Sequence, residues 1–184
     1  FDQEEVLIIG SIDFYITKGR FQVIVEDVDI YGEGALKKSI EKTRIKLEAE
    51  GIFDNNRPIS KYPNKVAVIT SPKSDAFKDV CSKFQERYPL LEIILYPVTV
   101  QGKNASNEII NQIIKCNHDN EVDVIMLIRG GGSLEDLMPF NEEKMAISIY
   151  ESKIPIVTGI GHQPDTTIAD YAADKAMETP TAAA

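Results

Sequence analysis

Cysteine is scarce in this sequence of 184 residues: there are two, Cys81 and Cys116, with no CxxC pair and no metal-ligand spacing. That excludes a disulfide framework and a cysteine-held zinc site, and leaves two reduced thiols in helical patterns. Long apolar runs are missing as well, since none approaches the roughly 20 residues of a membrane span. The opening FDQEEV has neither the basic stretch nor the apolar core of a signal peptide. It does not begin with methionine, and the closing ETPTAAA reads as the start of a helix, so the expectation is a segment cut at both ends from a longer chain. Positive charge is also short. Lys and Arg number 20 against 29 Asp and Glu, a net charge of −9, which argues against gripping nucleic acid by bulk electrostatics. The balance is uneven, however: residues 61–104 hold 7 basic and 4 acidic side chains, against 8 and 12 in 1–60 and 5 and 13 in 105–184. Contact with a polyanion must rest on a few placed cations.

What is present has the composition of an ordinary globular protein, 43% hydrophobic and 27% charged, without repeats or low-complexity tracts. FQVIVEDVDIY alternates apolar and polar residues as a strand does, and TKGR before it is a hairpin turn with Gly19 available for positive φ. Two or three strands cannot bury a core alone, so residues 1–34 read as the end of a truncated β domain. ALKKSIEKTRIKLEAEG reads as a helix stopped by Gly51, and IFDNNRPISKYPNK has the composition of a linker, together filling residues 35–64. From Lys65 to Ala184 strands and helices alternate. KVAVIT, EIILYPV, VIMLI and IPIVTGI lack polar alternation, as expected of strands buried on both faces. The fold class predicted for this region is α/β, a mostly parallel sheet with helices on both faces.

In such a sheet the loops leaving the carboxyl ends of the strands form the binding crevice. Here they are TSPKSD, TVQGKNAS, RGGGSLED and GHQPDTTIAD, and they hold most of the chemically costly residues. The glycine loop fits neither GxGxxG nor GxxxxGK[ST], which removes the dinucleotide and Walker readings. Ser133 and Asp136 match an S-x-x-D capping box. Two readings stand for Arg129-Gly130-Gly131-Gly132-Ser133. One is an anion site in which free N–H groups and a guanidinium hold a phosphate; the other is a tight turn with Arg129 in a surface salt bridge. His162 suits proton transfer near neutral pH, and Asp165 three residues on either sets its tautomer or caps the helix expected to start at Thr166. His118 lies in the polar turn NHDN and reads as structural. Ser71, Ser74, Asp75 and Asp79 follow the first strand; Ser74 or Asp75 caps the helix, and Asp79 reads as an exposed acid. No G-x-S-x-G elbow surrounds Ser71, against a serine-hydrolase triad. Gln101, Lys103 and Asn104 add polar groups without a sharper signature.

Four blocks, VAVITSPKSDAFKDV, YPVTVQGKNAS, DVIMLIRGGGSLEDLMPFNEE and SKIPIVTGIGHQPDTTIADYAADKAMETPTAAA, resemble in order the signature blocks of the exodeoxyribonuclease VII large-subunit family. The resemblance runs from about Ile12 to Ala184. Gln163-Pro164 and Met138-Pro139 depart from the family's usual Glu-Thr and Trp-Ala. It implies that residues 1–34 are the remnant of an OB-fold and that 65–184 form a nuclease catalytic domain, cut before a coiled-coil region. It further implies a bacterial cytoplasmic enzyme that degrades single-stranded DNA from either end to oligonucleotides, with a small helical partner subunit whose contact region is expected to lie outside this sequence. Matched position by position, the residues tied to activity are Asp79, Arg129, His162 and Asp165. Ser71, Gln101 and the Gly130–Ser133 loop are the expected phosphate and DNA contacts. Magnesium is left open as a cofactor, with Asp79 and Asp165 as the carboxylates that would hold it.

A mechanism follows for that resemblance. Hydrolysis of a phosphodiester concentrates negative charge on the non-bridging oxygens, where preorganised donors act most strongly. Arg129 and the N–H groups of 130–133 are expected there, with His162 moving the proton and Asp165 or Asp79 orienting it. With most of the OB-fold absent, the sequence by itself is expected to bind DNA weakly. The competing readings are a non-hydrolytic module for a nucleotide or sugar phosphate, and a scaffold that associates through an exposed sheet edge.

Overall fold

The three most apolar runs of the sequence lie side by side in the middle of one sheet. The computed structural model describes residues 6–15, 19–30, 32–119, 121–160 and 166–184. It divides into two compact units, Phe1–Lys42 and Thr43–Ala184. In the first, β1 (Val6–Tyr15) and β2 (Arg20–Ile30) pair antiparallel with Tyr15 opposite Arg20, and Gly19 takes φ 59° in the turn between them. Ile12, Phe21 and Val23 of this ribbon stay exposed. The helix α1 (Glu33–Ala49) spans the division and ends as its glycine predicts: Gly51 has φ 73°. The Gly51 N–H donates to the Glu48 carbonyl at 3.1 Å and the Ile52 N–H to the Leu47 carbonyl at 3.0 Å, a Schellman closure.

The second unit holds a five-stranded sheet, every pair parallel: β3 (Lys65–Thr70), β4 (Glu92–Pro97), β5 (Val124–Arg129), β6 (Ile156–Ile160) and β7 (Lys175–Met177). The spatial order is β4-β3-β5-β6-β7. Strands β5 and β6 are buried along their whole length and β3 at all but its first residue, which explains their unbroken apolar sequence. The expectation of four strands is short by one. Strand β7 has three residues, two of them exposed, and is held at the edge by backbone pairing to β6, so it carries no apolar run to read.

Two helices cover one face: α2 (Asp75–Arg87), and α7 (Pro180–Ala183), which begins at the ETPTAAA stretch with Thr179 as N-cap. Beneath them Val66, Val68, Met126, Ile128 and Val157 meet Val80 and Phe84. The alternate strand residues, among them Ile69, Ile125 and Leu127, are fully buried on the other side. There α3 (Ala105–Asp119), α5 (Glu143–Tyr150) and α6 (Ile168–Ala172) pack in sequence against one another. Between β5 and α5 lie a single turn, α4 (Leu134–Leu137), and a 3-10 turn, Met138–Asn141, which carries Pro139 at its start. His118 is not in a turn but in the last turn of α3, exposed beside Asp119. The segment read as a linker is bound down: Asn55 Nδ2 donates to the Ala172 carbonyl at 2.8 Å, and Arg57 pairs with Asp174. No described helix is long and apolar enough to cross a membrane.

Candidate active site

The strand order reverses at β3: the chain leaves it through α2 towards β4 on one side, and returns through α3 to β5 on the other. Parallel sheets open their binding crevice at such a point, beyond the carboxyl ends of the two flanking strands. The loops that meet there are Ser71–Ser74 and Gly130–Ser133. Ser74 caps α2, accepting the Phe77 N–H at 3.2 Å and donating its hydroxyl to the Ser71 carbonyl at 2.8 Å. Of the two candidates for that cap, the serine has the role.

Arg129 is the last residue of β5 and is only 4% exposed. Its Nη2 stands 3.5 Å from Asp136 Oδ2, while Nη1 has no hydrogen-bond partner. A guanidinium cannot shed its charge at ordinary pH, so this is a buried cation with an unmet donor. Burial pushes its pKa down and the Asp136 carboxylate works against that. The reading of Arg129 as a surface salt bridge therefore gives way. Glycine at 132 has a spatial reason: a Cβ there would overlap Arg129 Nη2 and come within 2.9 Å of both Nη1 and Asp136 Oδ2. The triple glycine is not among the positive-φ glycines of the described residues, so close approach, and not backbone freedom, is what Gly132 supplies.

The capping box at 133–136 forms by half. Ser133 Oγ accepts the Asp136 N–H at 3.3 Å, but the Asp136 carboxylate turns to Arg129. Helix α4 is one turn long, so its dipole is small, and the capacity to hold an anion rests chiefly on the guanidinium. Among the described residues, the buried side-chain polar atoms without hydrogen-bond partners include Thr70 Oγ1 and Arg129 Nη1, the last residues of the adjacent strands β3 and β5. Two unmet polar groups thus stand at the carboxyl ends of the two strands that flank the crevice.

Ser71 is half-buried at the end of β3, next to β5. Gln101 is exposed on the loop after β4, a strand separated from β5 by β3. Asp79 is exposed on α2 and is not the carboxylate that pairs with Arg129. His162 and Asp165 lie outside the described residues. Their flanks do not: Ile160 is the Cα partner of Arg129, and Thr166 is described on the other side. The following helix starts at Ile168, not Thr166, and its N-cap is Thr167 rather than Asp165. Thr167 and Asp170 complete a capping box, the Asp170 Oδ2 accepting the Thr167 N–H at 2.9 Å and hydroxyl at 2.7 Å. That T-x-x-D pattern was present in the sequence and would have located the cap. Asn141, unmarked by any motif, accepts the Ile168 N–H at 3.0 Å and is 6% exposed.

Among the described residues no group of three His, Cys, Asp or Glu could hold a metal ion.

Comparison with known proteins shows the family. A family described as "Exonuclease VII, large subunit" matches residues 52–184. The chain is 43% identical over 182 residues to an exodeoxyribonuclease 7 large subunit of Ligilactobacillus salivarius, covering 98% of this chain and 41% of that protein. It is 44% identical over 180 residues to one of Pediococcus pentosaceus, covering 97% and 40%. With that of Thermoanaerobacter pseudethanolicus it shares 43% over 185 residues, covering 100% and 46%. The chain thus spans less than half the length of these relatives, and the matched region contains the whole sheet with its glycine loop. It belongs to the exonuclease VII large-subunit family.

Proposed function

We propose that this chain supplies the catalytic domain of a bacterial, cytoplasmic exodeoxyribonuclease that hydrolyses phosphodiester bonds of single-stranded DNA from either end, releasing oligonucleotides. The named activity of its relatives supports the reaction class. The observation that carries the site is Arg129: a buried guanidinium with a free Nη1 at the crevice between β3 and β5. A scissile phosphate is a bidentate acceptor of the kind a guanidinium fork matches. Arg129 and the N–H groups of Gly130, Gly131, Gly132 and Ser133 hold the non-bridging oxygens as their charge grows. His162 transfers the proton, either activating water or protonating the leaving oxygen, and Asp165 or Asp79 orients it. Ser71 and Gln101 contact the strand on the side of β3 and β4. A small partner subunit completes the enzyme, and the OB-fold ahead of this domain holds the DNA.

Degradation of end-labelled single strands by the full-length large subunit with its small subunit tests the reading. Arg129→Ala is expected to lose about 100- to 1,000-fold in rate, as loss of an oxyanion donor does. His162→Ala should fall comparably. Rates equal to wild type in both variants would remove the assigned site.

A further inference from the structure

Asp136 stands at the N3 position of the half-formed capping box, yet its carboxylate faces elsewhere. Its Oδ2 faces Arg129 Nη2 at 3.5 Å, with the Gly132 backbone set close against both groups. Its main chain is fixed independently, by the bond from its N–H to Ser133 Oγ at 3.3 Å. The two charges differ in environment: Arg129 is 4% exposed and Asp136 40%. A buried cation therefore meets a carboxylate at the mouth of the crevice, through one nitrogen of its fork only. The other nitrogen, Nη1, has no hydrogen-bond partner.

We propose that Asp136 is a positioning residue for Arg129: it pins Nη2 against Gly132 and thereby presents Nη1 to the phosphate, a role that rests on the reading of Arg129 given above. Two opposed effects follow. Pinning fixes the direction of a donor that must meet the transition-state oxygens, where misplacement by an ångström is costly. The negative charge of Asp136, meanwhile, repels the incoming phosphate and weakens ground-state binding. At 3.5 Å the pair is longer than the 2.7–2.9 Å of a charge-assisted hydrogen bond, so the carboxylate guides the guanidinium without occupying it. The glycine beneath supplies the second wall, since any side chain at 132 would take the space the fork fills.

The test uses the assembled full-length enzyme on a single-stranded oligonucleotide, measuring kcat and KM for wild type, Asp136→Ala, Asp136→Asn and Arg129→Ala. In Asp136→Ala the pin and the charge are both lost, so kcat is expected to fall roughly 10- to 100-fold while KM stays level or drops. In Asp136→Asn an oxygen of the same size still faces Nη2. There kcat is expected within about threefold of wild type, with KM lowered because the repulsion is gone. Rescue by asparagine with split kinetic constants is not something a stability role produces. Equal losses in both Asp136 variants, or wild-type constants in Asp136→Ala, overturn the proposal while leaving Arg129 in place if Arg129→Ala is inactive. Should Asp136→Ala not fold, Asp136→Asn decides alone: near-normal kcat with lowered KM supports positioning, and a collapse of kcat overturns it. A fully active Arg129→Ala would sink the phosphate reading itself.

Discussion

Asn141 Oδ1 accepts the backbone N–H of Ile168 at 3.0 Å, and its Nδ2 donates to the Leu137 carbonyl at 3.2 Å. One amide side chain thus joins the end of the glycine-loop segment to the helix that follows residues 161–165. The two loops leave adjacent strands, and the bond ties their far ends together as well. Because Asn141 is buried, water cannot replace either bond.

Asn141→Ala leaves the buried N–H at the start of α6 without the partner shown and removes the side-chain bond to the Leu137 carbonyl. Each unmet buried group costs roughly 1–3 kcal/mol, so a lowered midpoint of urea unfolding is expected. Asn141→Asp keeps the acceptor and loses only the donor, and should fall between the two.

The sequence reveals β3, β5 and β6 because strands covered on both faces must be apolar throughout. It conceals β7 because Lys175 and Ala176 are exposed and only backbone pairing places them. The hairpin glycine and the Gly51 helix stop are legible for the same reason as each other: positive φ leaves a residue-type signature. At the site, the pattern RGGGS locates Arg129 at a strand end, and topology confirms the rim it occupies. Which donor the Asp136 carboxylate serves is not legible, since a capping box and an ion pair ask for the same residue. Asn141 is equally silent, its partners being 4 and 27 residues away. His162 and Asp165, proposed to move the proton, lie outside the described residues.

Gly132→Ala offers a sharp test of the space around the guanidinium. The added methyl group would meet Arg129 Nη1 and Asp136 Oδ2 at 2.9 Å, and overlap Nη2 outright. The fork must swing, and activity on single-stranded DNA is expected to drop roughly 100-fold. Far-ultraviolet circular dichroism should stay as in wild type, because the change is confined to a loop and one side chain.

Asp170 makes stability depend on pH. Burial pushes its carboxyl above the ordinary value of 3.8, opposed by Thr158 and by the N–H and hydroxyl of Thr167. A folded-state pKa above the unfolded one means the folded protein holds the proton more tightly. The stability this group contributes is therefore fully present below the unfolded value and is lost as pH rises towards the folded one. Asp170→Asn removes that ionisation. Urea unfolding from about pH 4 to about pH 7 should show wild type losing stability relative to Asp170→Asn as pH increases; a difference that stays constant would contradict the assignment.

Arg57 joins three elements from a segment without regular structure. Its Nε lies 2.9 Å from Asp174 Oδ1 and its Nη2 2.9 Å from Oδ2, while its own N–H donates to Oδ1 at 2.7 Å. Nη2 also donates to the Ile149 carbonyl at 2.9 Å and Nη1 to the Ser152 carbonyl, so the cation closes the carboxyl end of α5. The Asp174 side chain is fully buried and also receives the Ile156 N–H at 2.7 Å, which anchors the first residue of β6. Removing the arginine strands a buried carboxylate together with two carbonyls. Arg57→Ala is thus expected to cost about 3–5 kcal/mol, read from the urea midpoint. Arg57→Lys keeps the charge but not the fork, and a single ammonium cannot span Asp174 and the helix end at once. It should recover less than half of the loss, and full recovery would mean that charge alone, without the fork geometry, holds this junction.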